Sequence, residues 1–302
     1  IARVTTRILF ALLSTLPLAP LTASVSAQAT ASRTPIQVSA LGPQVGQPVD
    51  LRCQLEPDSL RGTHQVLLTD LGVLIEQRHN VVGADQHGDK VAEGDSWVFR
   101  TDRDEARERG TKYTEARGRV EPYTEEQLAE FTRLYQTEEI RGATPRYWED
   151  VKEGEALPRM MKGPMTVTGF ICYAQGWGGL YIRANKLANK MQQAHPGLGI
   201  RNRFNVPDCP ERVHWDEEFA LEVGAPGAYD YGPERCSWLT HHVTNWMGDD
   251  GFLRKSKCQI RRHNPDGDAI YIDGSVTRKF VEGDRHLVEI SQRAETHRGE
   301  LS

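Results

Sequence analysis

Between positions 208 and 216 the chain reads Asp208-Cys209-Pro210-Glu211-Arg212-Val213-His214-Trp215-Asp216, placing a carboxylate and an imidazole six positions apart just ahead of a helix start. Adding water across a C=C bond conjugated to a carbonyl needs a base to activate the water and an acid to protonate the carbon alpha to the carbonyl. Asp208 and His214, on one short loop, can share that work if the imidazole faces the carboxylate across a slot that admits a flat acyl group. The enolate oxygen that develops needs preorganised donors, usually backbone N–H groups near a helix N-terminus. The turn Tyr231-Gly232-Pro233, opening another helix, can supply one. A histidine beside a helix start is also a common structural cap or a satisfied surface group, so the spacing alone leaves that reading open. Asp216 suits an N-cap better than an acid. His242 falls on the inner face of a helix and His241 outside it, and Asp249-Asp250 suits a solvated helix end better than a metal site.

These residues need elements to position them. Thr124-Glu125-Glu126-Gln127 starts a helix, with Thr124 as cap, acids in the first turn and Leu128, Phe131, Leu134 and Tyr135 on one apolar face. A long helical pattern follows Thr166 or Thr168, is weakened by Gly176, Gly178 and Gly179, and stops at His195-Pro196-Gly197. Asp216 caps a short helix ending at Gly224. Another spans about 234–246, with Cys236, Leu239, His242, Val243 and Trp246 as its inner stripe. Strands are expected at 258–262, 270–279 and 286–293, with turns at Asn264-Pro265-Asp266-Gly267-Asp268 and Glu282-Gly283-Asp284. Helices followed by an antiparallel meander give an α+β class. Nearer the N-terminus, 66–75 and 90–103 read as strands, and 104–145 as a charged linker carrying one amphipathic helix.

The chain has 302 residues, a net charge of −5, 38% hydrophobic and 26% charged residues. That is the composition of a soluble globular protein, and it lacks the clustered basic excess of a nucleic-acid surface. The five cysteines at wide, irregular spacing, without a C-x-x-C pair, form neither a disulfide framework nor a zinc motif, and suit a reducing compartment. Residues 1–30 disagree. Arg3 and Arg7, an apolar run and small residues around Ala27 read as a secretory signal peptide, with Pro17 and Pro20 in a run too short for a membrane span.

The run from His214-Trp215-Asp216 through Tyr231-Gly232 to Leu239 resembles the hydratase segment of the MaoC-like dehydratases, the family of (R)-specific enoyl-CoA hydratases. Asn264-Pro265-Asp266-Gly267-Asp268 with Gly274-Ser275-Val276 resembles that family's strand pair, and Trp148-Glu149-Asp150-Val151 with Gly163-Pro164 and Thr166 its domain opening. The resemblance implies a hotdog fold, a long helix wrapped by a curved antiparallel sheet, over 146–302. It implies hydration of 2-enoyl thioesters, or dehydration of 3-hydroxyacyl thioesters, with no metal or redox cofactor. Asp208 and His214 fall on the acid/base pair, and Tyr231 and Gly232 on the substrate-holding turn. The family's spacing between acid and histidine is five where this chain has six, and the family's His-Gly turn is Tyr231-Gly232 here. Longer relatives carry two hotdogs in tandem. Residues 81–103 resemble the end of a first, with 31–80 unassigned, so the first domain is expected to be partial. The implied partners are an acyl-CoA or acyl-carrier thioester and a second copy of the chain, without nucleic acid or membrane. The implied location is cytoplasmic, against the signal-like start. Two alternatives keep the fold, namely a non-catalytic acyl-thioester-binding subunit and a hotdog thioesterase.

Overall fold

The computed structural model describes residues 37–39, 64–69, 72–85, 87–100, 121–179 and 181–302. All of them fall within one compact unit. The signal-peptide-like segment lies outside the described residues, and no helix among those described is long and apolar enough to cross a membrane.

Two sheets carry most of the strand structure. A meander of β2 (His64–Thr69), β3 (Gly72–Ala84) and β4 (Lys90–Arg100) pairs antiparallel throughout; the single strand expected at 66–75 is instead the end of β2 and the start of β3, and β4 falls within the strand expected at 90–103. The larger sheet has the order β5-β9-β10-β1-β8. Its antiparallel heart is β5 (Ala156–Lys162), β9 (Ile270–Glu282) and β10 (Arg285–Thr296). A two-residue turn joins β9 to β10, and Gly283 takes φ 64° there, a conformation in which a glycine has no Cβ to clash. The three-residue β1 (Gln37–Ser39) runs parallel to both β10 and β8 (Phe252–Arg254).

Against this sheet lies α5 (Gly232–Met247), the longest helix among the described residues. Its Val243, Trp246 and Met247 pack with Leu157, Val276 and Val288 of the strands, while Tyr231 at its start joins Met160, Phe170, Ile270 and Ile272 in a second cluster. The expected hotdog feature, a long helix seated on an antiparallel sheet within an α+β domain, is therefore present in 146–302. The amphipathic helix expected within 104–145, α1 (Glu125–Gln136), packs onto the same sheet. Phe131 is buried against Met161 and Ala269, and the Tyr123 hydroxyl donates to the Gly267 carbonyl at 2.6 Å.

Three elements differ from the sequence reading. The expected strand at 258–262 is a loop. Its one large apolar side chain, Ile260, is 47% exposed, so the segment has no apolar face to bury. The third antiparallel strand is instead β5, which buries Leu157, Met160 and Met161. The long helical pattern of 166–194 breaks into α2 (Val167–Trp177) and α3 (Asn185–Ala194), because Gly178 and Gly179 both adopt positive φ. Thr166 is the cap of α2, accepting from Gly169 N–H at 3.0 Å. Without a buried residue, α3 lies on the surface with Leu187 exposed.

Candidate functional site

The loop carrying the acid and the histidine is held at both ends. Pro207–Asp208 forms β7, paired antiparallel with β6 (Ile200–Arg201). A 3₁₀ turn, Pro210–His214, follows, and then α4 (Glu217–Glu222), which Asp216 caps by accepting from Phe219 N–H at 3.0 Å. Asp216 is thus the cap expected of it.

His214 is mostly enclosed by aromatic rings. It stacks on Tyr231 with centroids 3.7 Å apart and meets the Tyr229 ring edge-on at 4.7 Å. Its Nδ1 lies 2.7 Å from the Tyr229 carbonyl oxygen. A carbonyl only accepts, so Nδ1 carries the proton and the neutral ring keeps its Nε2 lone pair. Burial lowers the His214 pKa below its ordinary value, against an opposing pull from the Tyr229 carbonyl and the Glu211 carboxylate.

Asp208 is not the carboxylate that faces this ring. Its side chain is 42% exposed and no ion pair or hydrogen bond joins it to His214. One oxygen accepts from Cys209 N–H at 2.7 Å, and the other from Asn202 Nδ2 at 3.3 Å, with Arg212 3.9 Å away. The expected pairing of Asp208 with His214 is thus not made by a hydrogen bond or an ion pair. A carboxylate at the end of β7, one residue before the cap of the 3₁₀ turn, is taken up by the N–H of that cap, Cys209.

Glu211, within the turn, takes the inward position. It is buried, and its Oε1 accepts from Tyr181 N–H at 2.6 Å. Its charge acts on both His214 and Tyr231. The Tyr231 hydroxyl is held far from ionising, first by burial and then by the adjoining Glu211 carboxylate. Neither Glu211 Oε2 nor the Tyr231 hydroxyl completes a well-aligned hydrogen bond, although both atoms are buried. The carboxylate and the hydroxyl engage each other, and this polar pair beside an imidazole suits a place where something polar binds. Sequence reasoning missed Glu211 because Pro210 and Arg212 flank it in a polar loop; only the periodicity of a 3₁₀ turn would turn it inward.

Tyr231 and Gly232 lie where the sequence placed them, at the N-terminus of α5. Pro233 has no N–H, which leaves Gly232 N–H as the donor at the tip of the first turn. Glu234 is itself buried, and desolvation pushes its carboxyl up to about 7. Of the other histidines, His242 is structural: its Nε2 donates to the Pro158 carbonyl at 2.8 Å and its Nδ1 accepts from Gln292 at 2.9 Å. His241, expected to be exposed, has a 43% exposed side chain and lies 3.0 Å from Lys162 Nζ and 3.6 Å from Glu138. Asp249 and Asp250 are exposed at the end of α5, and no cluster of metal-ligating side chains occurs among the described residues.

A cleft of about 380 Å³ runs along the same helix, between α5, the 257–261 loop and the β9–β10 hairpin. Its lining is mixed: Trp238, Leu239, Ile260, Ile270 and Ile272 share it with Gln292 and with the cations Lys257, Arg261 and Arg293. Ile260 places the cleft next to the α5 N-terminus: a Cβ added at Gly232 would lie 3.0 Å from Ile260 Cδ1.

No family model matches the sequence, and no curated protein is similar to it. Among solved structures the chain is similar to a MaoC domain protein dehydratase from Chloroflexus aurantiacus J-10-fl, at 15% identity and a TM-score of 0.41, covering 78% of this chain and 60% of that one. It is similar to a MaoC-like dehydratase at 14% identity and a TM-score of 0.38, covering 76% and 66%. It is also similar to the ChsH1-ChsH2 complex from Mycobacterium tuberculosis, at 17% identity and a TM-score of 0.33, covering 50% and 91%.

Proposed function

We propose that this chain is a hydro-lyase that adds water to 2-enoyl thioesters, or removes it from 3-hydroxyacyl thioesters, with His214 as its base. One observation carries the reading. The imidazole is fixed through Nδ1–H to the Tyr229 carbonyl, its Nε2 lone pair is unused among the described residues, and burial keeps the ring neutral near pH 7. Such a ring accepts a proton at Nε2 and returns it.

In the hydration direction, Nε2 takes a proton as the water oxygen attacks the β-carbon, and the C=C electron pair moves through to the thioester oxygen. Gly232 N–H, at the positive end of α5, donates to that oxygen. The imidazolium then returns its proton to the α-carbon, so both additions fall on one face. Glu211 holds the carboxylate role that the spacing assigned to Asp208, stabilising the imidazolium by its charge. Tyr231, always protonated, supports the ring by stacking. The apolar side chains of the cleft suit an acyl chain, and its cations Lys257, Arg261 and Arg293 suit the phosphates of coenzyme A or a carrier-protein arm. The chemistry as proposed uses no cofactor. A homodimer would match the pairing of hotdog sheets, and light scattering at micromolar concentration, showing twice the chain mass, checks it.

His214→Ala is expected to lower crotonyl-thioester hydration by about 10²- to 10⁴-fold, the range for loss of a general base. Undiminished activity in that variant rejects the role. Asp208→Asn should leave turnover within a few-fold of the parent. The separation of Asp208 from His214 favours a second reading, a subunit that binds acyl thioesters without turning them over. Thermal stabilisation by acyl-CoA without turnover would establish that reading, whereas release of free thiol would instead mark a thioesterase.

A further inference from the structure

Lys162, His241 and Glu138 meet in a cluster that shares no residue with the His214 site. Lys162 is the last residue of β5, His241 lies within α5, and Glu138 follows the end of α1 by two positions. Lys162 Nζ is 3.0 Å from His241 Nδ1 and 4.0 Å from the Glu138 carboxylate, and His241 Nε2 is 3.6 Å from that carboxylate. An ammonium only donates, so Nδ1 accepts and Nε2 carries the ring hydrogen. Asn245, one helical turn beyond His241, donates to Glu138 Oε1 at 2.8 Å and holds the carboxylate in place. The order is amine, imidazole, carboxylate: a nucleophile, a base and a group that orients the base. Lys279, by contrast, donates to the Glu149 and Val151 carbonyls, which take up no proton. The Lys162 side chain is 15% exposed and that of His241 43%, so the amine is largely desolvated while the ring reaches solvent. A cavity of about 230 Å³ shares Glu138 and Asn245 with the cluster and has Ile140, Met160 and Trp246 in its mixed lining.

We propose that Lys162 is an acyl-acceptor site, which takes the acyl group of an acyl thioester to form an amide. Burial lowers the Lys162 pKa from its ordinary value, against the pull of the Glu138 carboxylate, so more of it is free amine than of a surface lysine. Burial and the neighbouring Lys162 charge keep His241 neutral. The ammonium first gives one proton to solvent by way of His241. The free amine then attacks the thioester carbonyl carbon, and His241 Nδ1 takes the second proton from the nitrogen. The C–S bond breaks, and His241 passes that proton to the leaving thiolate. The products are an amide on Lys162, one free thiol and one proton in solution; nothing is oxidised or reduced. The amide is stable, so the thiol leaves once per chain, unlike the continuing release of a thioesterase.

The test uses acetyl-coenzyme A, which has no C=C bond to hydrate, so its outcome is separate from that of the hydro-lyase reading. Full-length protein is incubated with it, digested with trypsin and mapped by mass spectrometry. The unmodified chain is cut after Arg159, Lys162 and Arg183. Acetylation of Lys162 blocks the middle cut and leaves 160–183 as one peptide, heavier by one acetyl group. Lys162 is expected to be acetylated faster than the exposed Lys186 and Lys190, with a half-maximal rate below pH 10.5, the ordinary lysine value. His241 belongs to none of the apolar clusters, so His241→Ala leaves the core intact. That variant should slow acetylation of Lys162 by about a hundredfold, as loss of a general base does, and leave that of Lys186 unchanged. Acetylation of Lys162 no faster than that of Lys186, or equally fast in the His241→Ala variant, overturns the proposal.

Discussion

A buried carboxylate destabilises a fold unless its oxygens find donors, and Glu211 has the Tyr181 N–H with the Tyr231 hydroxyl beside it. Asp208, three residues earlier, is served by Cys209 and Asn202 and stays half in solvent. The residue types needed for acid/base work were legible in the sequence, and so was His214. The partner was not, because a 3₁₀ turn rotates successive side chains differently from an extended loop. A pH experiment follows from Glu234, one turn away. Its folded pKa, about 7, lies above the ordinary carboxyl value of 4.5. Between those two values the native state binds more protons than the unfolded one. Its contribution is therefore full below pH 4.5 and lost as pH rises through 7. Glu234→Gln keeps an acceptor for Tyr231 N–H and removes the titration, so its urea midpoint should fall less than that of the parent chain between pH 5 and pH 8. Equal falls would show that Glu234 ionises freely. His214 acts in the opposite sense: buried and neutral, it contributes fully above pH 6.5 and destabilises the fold as the medium is acidified below that.

At the scale of elements, local chemistry at helix ends was the most legible feature. Thr124, Thr166 and Asp216 each cap the helix they were expected to start, because a cap needs only a short polar side chain and the next few N–H groups. The inner stripe of α5 was legible at His242, Val243 and Trp246, all buried. Strand β5 was not, since Leu157, Met160 and Met161 do not alternate, the pairing with β9 being irregular between Leu157 and Met160. Asp216→Ala should cost about 1 kcal/mol, as a lost N-cap typically does. The packing of α1 makes a larger demand. Phe131 is 5% exposed against Met161 and Ala269, so Phe131→Ala should cost about 3–5 kcal/mol by urea denaturation. A cost below about 1 kcal/mol would mean that the helix is an appendage and not part of the domain.

At the scale of the whole molecule, one polar network joins parts of the chain that no sequence pattern connects. Asp230, fully buried before α5, receives Arg235 Nε at 2.6 Å and Nη2 at 2.5 Å, and Asn264 Nδ2 at 2.9 Å. Asn264 in turn accepts from the Ser302 hydroxyl at 2.9 Å, and Arg235 also donates to the Arg262 carbonyl. The network thus fixes the α5 N-terminus, the 262–264 segment and residue 302 relative to one another, and the cleft lies among them. Its members sit in a turn composition that reads as solvated, which is why Asn264 at 0% exposure was not foreseen. Removing one partner strands the other, so Asp230→Ala should cost about 3–5 kcal/mol, with Arg235 left as an uncompensated buried charge. Replacing both, Asp230→Ala with Arg235→Met, should recover much of that loss, because no charge then remains to be desolvated. The double-mutant cycle in urea decides the point. A double variant as unstable as the sum of its single changes would mean that the pair contributes nothing jointly, and that the α5 N-terminus is held by its apolar contacts alone.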